Sequence, residues 1–109
     1  MANVLITEFM GKTQIKQLSK IHNVTYNPEL YKNPKSILKE AHEIDALIVR
    51  NKTNVDKKLL DSMESLKIIG RLGVGLDNID IDYCKTKNVP VVIAEEANAR
   101  SVSEYVIMG

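Results

Sequence analysis

Five short apolar runs recur along this 109-residue chain, and each is separated from the next by a stretch with helical spacing. The runs are NVLIT at Asn3–Thr7, NVTY at Asn23–Tyr26, DALIV at Asp45–Val49, KIIGRL at Lys67–Leu72 and VPVVIA at Val89–Ala94. Each is too short for a helix and is rich in β-branched residues, so each reads as a strand. The third has no polar alternation, which implies burial on both faces and parallel pairing. Between the runs, Ile15, Leu18 and Ile21, then Ile37, Leu38 and Ala41, then Leu59, Leu60 and Met63 mark apolar helix faces. Pro34 suits a first helical position, and Asp80 is placed to cap a helix over Ile81–Lys87. Strand–helix alternation with right-handed crossovers gives an α/β fold: a parallel five-stranded sheet with helices on both faces. Pro90, near the start of the fifth run, suits an edge strand.

Such sheets take ligands at the carboxyl ends of their strands. That rule selects the loops after Thr7, Val49, Leu72 and Ala94. The loop after the fourth run, Gly70-Arg71-Leu72-Gly73-Val74-Gly75, has glycines that permit positive φ and close approach of a ligand to main-chain N–H groups. Two readings stand for it, a tight strand-to-helix turn and an anion cradle. It is not a dinucleotide fingerprint, because position 78 is Asn and the loop follows the fourth strand rather than the first. Arg50 and Arg71 end the third and fourth runs, where guanidinium groups can clasp a carboxylate, phosphate or sulfonate or else pair with Asp77 or Glu8. Asn98, after the fifth run, can donate to a substrate or close a turn. Asp77, Asp80 and Asp82 are read as helix-capping acids, His22 and His42 as surface residues without metal partners, and Cys84 as a small helix residue.

The totals narrow the function class. A formal net charge of +1 gives no bulk attraction to nucleic acid or to an anionic membrane. The single cysteine cannot form an internal disulfide. No apolar run approaches the roughly 20 residues that span a bilayer, and MANVLITEF has no signal-peptide pattern. A cytoplasmic protein is the expectation. Ser101 and Glu104 form a capping box before an apolar run that breaks off at Gly109, so a longer parent protein is expected.

Three segments in order, RNKTNVD, GRLGVGLDNIDI and NARSVSE, resemble the D-isomer-specific 2-hydroxyacid dehydrogenase family, above all its phosphoglycerate dehydrogenase-like members. The resemblance implies a flavodoxin-like substrate-binding domain over residues 1–98, with 99–109 starting the helix that leads to an NAD-binding Rossmann domain. It implies that Arg50 and Asn51 contact the substrate, with Arg71 adding to cationic surroundings that suit a second anionic group. Val74 and Gly75 would offer N–H groups to the substrate carboxylate, Asn98 would contact substrate, and Val74 and Ala99 would lie near the nicotinamide of NAD. The ligand would be a small anionic 2-hydroxy or 2-oxo acid, and the parent a homodimer or homotetramer. Two positions depart from the family pattern: Arg100 is a large cation, and Asn51 stands where phosphoglycerate dehydrogenases often carry Ser. The catalytic Arg, Glu and His of the family have no counterpart here, so the 109 residues alone would be inactive. Val102, Val106, Ile107 and Met108 would then lack cover. The alternative is a free-standing flavodoxin-like module that binds a small acid for regulation. A phospho-receiver version fails, because its required acidic and Lys positions hold Glu8, Arg50 and Glu95.

Overall fold

A computed structural model of the chain describes residues 2–73 and 75–94. The five apolar runs form strands β1 (Asn3–Ile6), β2 (Asn23–Tyr26), β3 (Ala46–Val49), β4 (Ile68–Leu72) and β5 (Val91–Ala94). All neighbouring pairs are parallel, in the order β2-β1-β3-β4-β5. The intervening segments form helices α1 (Lys12–Ser19), α2 (Pro34–Glu40), α3 (Lys57–Ser62) and α4 (Ile81–Thr86), with 3-10 turns at Leu30–Lys32 and Ala41–Glu43. The expected α/β parallel sheet is therefore present, with helices on both faces.

Successive residues of a strand point to opposite faces, and the core divides accordingly. Leu5, Leu47, Val49 and Ile69 face Ile37 of α2, Leu59 and Leu60 of α3 and Cys84 of α4. Val4, Ile6, Ala46, Ile48, Ile68 and Leu72 face the other way, against Leu18 of α1 and Met10. β3 and β4 are buried along their whole length, as two-sided cover demands, whereas β2 alternates exposed and half-buried residues at one edge. β5 is the opposite edge of the described sheet, and the Pro90 carbonyl accepts from Ile69 N at 3.0 Å while its missing N–H faces no partner strand.

The helices start where their caps allow. Asn33 Oδ1 accepts from Ser36 N, Asp56 Oδ1 from Leu59 N at 3.0 Å, and Asp80 Oδ1 from Tyr83 N at 3.1 Å. Each satisfies an N–H that the first helical turn leaves open.

One expectation is corrected at the end of α1. The sequence pattern puts His22 on the surface and Ile21 in the apolar stripe; the structure reverses them, with His22 4% exposed and Ile21 46% exposed. The reason is geometric. α1 stops at Ser19, and the chain tightens so that both Ile21 N and His22 N donate to the Leu18 carbonyl. That turn swings His22 inward, where its Nδ1 accepts from Ala2 N at 3.2 Å. Val74, Asn98, Ala99 and Arg100, the capping box at Ser101, the apolar residues Val102, Val106, Ile107 and Met108, and the boundary between residues 98 and 99 all lie outside the described residues.

Candidate functional site

The parallel sheet brings the ends of β1, β3 and β4 side by side, so the three loops that follow them share one rim. Val49 pairs in register with Arg71, which sets Arg50 and the glycine loop on neighbouring strands. Arg50 is half-buried at the rim and its Nη1 donates to the Phe9 carbonyl at 3.5 Å, while Asn51 and Lys52 are exposed. Lys52 Nζ lies 3.5 Å from the Tyr31 hydroxyl and 5.1 Å from the centre of its ring.

Arg71 does not stand on the rim. It is 6% exposed, and its guanidinium lies beneath the glycine loop, donating through Nη1 to the Leu72 carbonyl. Gly73 and Gly75 take φ values of +108° and +95°. A Cβ on Gly73 would sit 2.8 Å from Arg71 Nη1, and one on Gly75 would sit 4.0 Å from Nη2. The backbone of the loop thus rests on a buried cation, and Gly75 itself is exposed. An anion on the loop's outer side would lie across the backbone from that charge.

A cleft of about 340 Å³ opens beside Arg50, lined by Phe9, Pro28, Tyr31, Asn51 and Lys52, with Glu8 and Glu29 on its wall. Neither acid is left to repel an anion unopposed. Glu29 is 2.5 Å from Lys32 Nζ, and this bond raises the lysine's pKa above its ordinary value. Glu8 is 3% exposed and its carboxylate is filled by donors from the next loop. A second cavity, of about 370 Å³, lies between α2 and α3 over Ile37, Leu38 and Leu59, and Tyr31 and Lys52 line both. It is removed from the glycine loop.

Sequence reasoning gave Glu8 only as a possible partner of an arginine side chain and missed Asn78, and both build this rim. Glu8 Oε2 accepts from Arg50 N at 2.7 Å, Thr53 N at 3.0 Å and Thr53 Oγ1 at 2.8 Å, and Oε1 accepts from Lys52 N at 2.9 Å. Asn78 Nδ2 donates to the carbonyls of Arg50 at 2.7 Å and Thr53 at 2.8 Å. Glu8 gave one usable signal, an acid directly after a buried strand. Asn78 gave none beyond its turn propensity, because its partners lie 25 and 28 residues away in sequence.

The described residues supply no dinucleotide site of their own. The first strand-helix turn, where a pyrophosphate would sit, has one glycine, Gly11, in place of a glycine-spaced loop, and the third-glycine position of the later loop is Asn78, whose amide is committed to the loop it braces. Among the described residues no group of three or more His, Cys, Asp or Glu is placed to hold a metal, and no helix is long and apolar enough to cross a membrane.

A doubly wound parallel sheet with a cation-backed glycine loop at its carboxyl edge defines the class: an α/β domain of the doubly wound, parallel-sheet type. The chain belongs to the D-isomer specific 2-hydroxyacid dehydrogenase family, whose catalytic-domain profile matches residues 4–107. It is 42% identical over 109 residues to an (S)-sulfolactate dehydrogenase of Chromohalobacter salexigens, covering 100% of this chain and 35% of that protein. It is 36% identical over 104 residues to a D-3-phosphoglycerate dehydrogenase of Methanocaldococcus jannaschii, covering 95% of this chain and 20% of the relative. An NAD+-bound 3-phosphoglycerate dehydrogenase from Entamoeba histolytica superposes with a TM-score of 0.73 at 25% identity, over 84% of this chain and 32% of the other. A Pyrococcus horikoshii protein shares the fold with a TM-score of 0.79 at 23% identity, over 86% of this chain and 28% of the other. The chain thus spans between a fifth and about a third of the length of these two curated relatives.

Proposed function

We propose that this chain is the substrate-binding part of an NAD-dependent oxidoreductase acting at C2 of a D-2-hydroxy acid and its 2-oxo partner. Residues 1–98 would form the substrate-binding domain and 99–109 the start of the connection to a nucleotide-binding domain. The observation that carries the reading is the juxtaposition of Arg50 with a positive-φ glycine loop seated on the Arg71 guanidinium. Oriented N–H groups over a buried cation suit a carboxylate. Arg50 can take a second anionic group in bidentate fashion, and Asn51, exposed beside it, can donate to the same ligand. A phosphate or sulfonate on C3 fits that second role, consistent with the names of the two curated relatives.

NAD, when bound, supplies the hydride acceptor. This chain's residues do the remaining work of orientation. Gly75, with Val74, holds the carboxylate, Arg71 sets the potential beneath it, and Arg50, Asn51 and Asn98 fix the rest of the substrate. Val74 and Ala99 would border the nicotinamide, and most of the cofactor's contacts would come from residues other than those described. The acid–base group for the C2 hydroxyl is not among His22 and His42: the first is buried behind Ala2 and the second is exposed on a 3-10 turn away from the rim.

The test is reduced-nicotinamide oxidation by the enzyme that contains this chain, with phosphohydroxypyruvate, its 3-sulfo counterpart and an uncharged-tail 2-oxo acid, each with NADH and NADPH. Turnover is expected with NADH, fastest for a dianionic acid. Arg50→Lys, which keeps the charge and loses the planar fork, should cut kcat/KM for the dianionic acid about tenfold or more. The 109-residue chain alone should consume no NADH. Absence of turnover with every 2-oxo acid and both cofactors would sink the reading.

A further inference from the structure

We infer that Glu8 and Asn78 are positioning residues that hold the Arg50–Thr53 loop in its anion-binding shape, an assignment that rests on the substrate-binding reading above. The two ends of this loop are clamped by the same pair of side chains. Arg50 gives its N–H to Glu8 and its C=O to Asn78, and Thr53 does the same. The Thr53 hydroxyl also donates to Glu8 and is itself 2.7 Å from the Thr7 hydroxyl, which must then be the donor of that pair. Between the clamped ends, Asn51 and Lys52 are exposed, and the Lys52 N–H is turned back to Glu8 Oε1.

Burying a carboxylate at 3% exposure is costly unless its lone pairs are filled. A surface turn needs no such device, since water satisfies its backbone. What the clamp adds is a fixed peptide at the root of the Arg50 side chain, and a guanidinium fork recognises an anion only where its root is held. The clamp also joins the two halves of the rim. Asn78 lies three residues after Gly75, its carbonyl accepts from Val55 N at 2.8 Å, and Asp80 N donates to the Val55 carbonyl at 2.9 Å. A shift of the glycine loop is therefore transmitted to Arg50. All four donors to Glu8, three on Oε2 and one on Oε1, come from the Arg50–Thr53 loop, so the assignment has it act through that loop and not on the reacting atoms.

Glu8→Gln is the discriminating variant, because it keeps the side chain's shape and changes only its charge and one acceptor. Its carbonyl oxygen can replace Oε2 and keep Arg50 and Thr53, while its NH₂ then confronts the Lys52 N–H. Amide exchange on the 109-residue chain should accelerate most at Lys52, about tenfold or more, and less at Arg50 and Thr53, whose bonds lose the charge but keep an acceptor. In the complete enzyme, Glu8→Gln and Asn78→Ala should raise KM for the dianionic 2-oxo acid about tenfold with kcat changed far less, since binding is weakened in ground and transition states alike. Leu18→Ala, buried on the opposite face of the sheet, is the control: it should lower thermal stability and leave KM unchanged. The assignment is overturned if Lys52 exchange in Glu8→Gln matches the parent chain, if KM is unmoved in both loop variants, or if Leu18→Ala raises KM equally. A parent enzyme inactive on every 2-oxo acid would defeat the substrate reading, and the exchange pattern would still decide whether the clamp exists.

Discussion

At the scale of single residues, the glycine loop separates two effects that glycine usually mixes. Gly73 and Gly75 both hold φ values that an L side chain rarely adopts, so alanine at either is strained. Only at Gly73 would the new Cβ also meet the Arg71 guanidinium, at 2.8 Å against 4.0 Å for Gly75. Gly75→Ala should cost about 1–2 kcal/mol in urea denaturation. Gly73→Ala should cost more, about 2–4 kcal/mol, because the buried arginine has to move. Equal losses would show that Arg71 is not seated under the loop. The glycine spacing and both arginines were legible in the sequence. The depth of Arg71 was not, because an arginine at a strand end looks the same whether it reaches out to solvent or folds under the following turn.

At the scale of elements, α3 and α4 are each only six residues long, too short to be stable alone. They are tied together at their outer surface. The Tyr83 hydroxyl donates to Asp61 Oδ1, and Lys87 Nζ reaches the same oxygen at 3.4 Å and the Leu60 carbonyl at 3.0 Å. The bond from Tyr83, and secondarily Lys87, holds the Asp61 carboxyl below its usual 3.8, and the bond to Asp61, with some desolvation, pushes the Tyr83 hydroxyl above 10.0. The sign follows for each group. Asp61, depressed in the folded chain, contributes stability that is complete above pH 3.8 and is lost as pH falls through its lower native value. Tyr83, raised in the folded chain, contributes stability that is complete below pH 10.0 and is lost as pH rises through its higher native value. Melting temperatures of Tyr83→Phe followed by circular dichroism should therefore converge on those of the parent at both extremes and fall below them between. A constant offset across the whole range would show that the hydroxyl's loss acts through packing alone. The caps at Asp56 and Asp80 are local, i to i+3 features, which is why Asp80 could be assigned from the sequence, whereas the α3–α4 tie spans 22 residues and could not.

For the whole molecule, burial is graded across the sheet. β3 sits in the middle with every residue buried, and β2 lies at an edge with none fully buried. Leu47→Ala should destabilise by about 3 kcal/mol or more, and Val24→Ala by about 1 kcal/mol, in chemical denaturation. Comparable losses at the two positions would contradict the sheet order. The same order makes the site. β1, β3 and β4 are consecutive in the sheet but not all consecutive in the chain, and only this arrangement sets Glu8, Arg50 and the glycine loop on one rim. Family membership accords with that architecture, and the substrate assignment then depends on the rim's charges rather than on the fold, since folds of this kind host many chemistries.

The sequence by itself determined the element types, their order, the parallel sheet and the carboxyl-edge location of the rim. Those follow from local hydrophobic periods and from the handedness of strand connections, which act within a few residues or one crossover. The tertiary structure alone decided which polar groups meet. That Glu8 fills itself with donors from Arg50, Lys52 and Thr53, that Asn78 braces the same loop from the other side, that Arg71 lies beneath Gly73, and that His22 rather than Ile21 turns inward all depend on partners brought together across the fold or on the path of one tight turn. Burial of a polar group is favourable only when the fold delivers its hydrogen-bond partner, and no pattern of neighbours along the chain records that delivery.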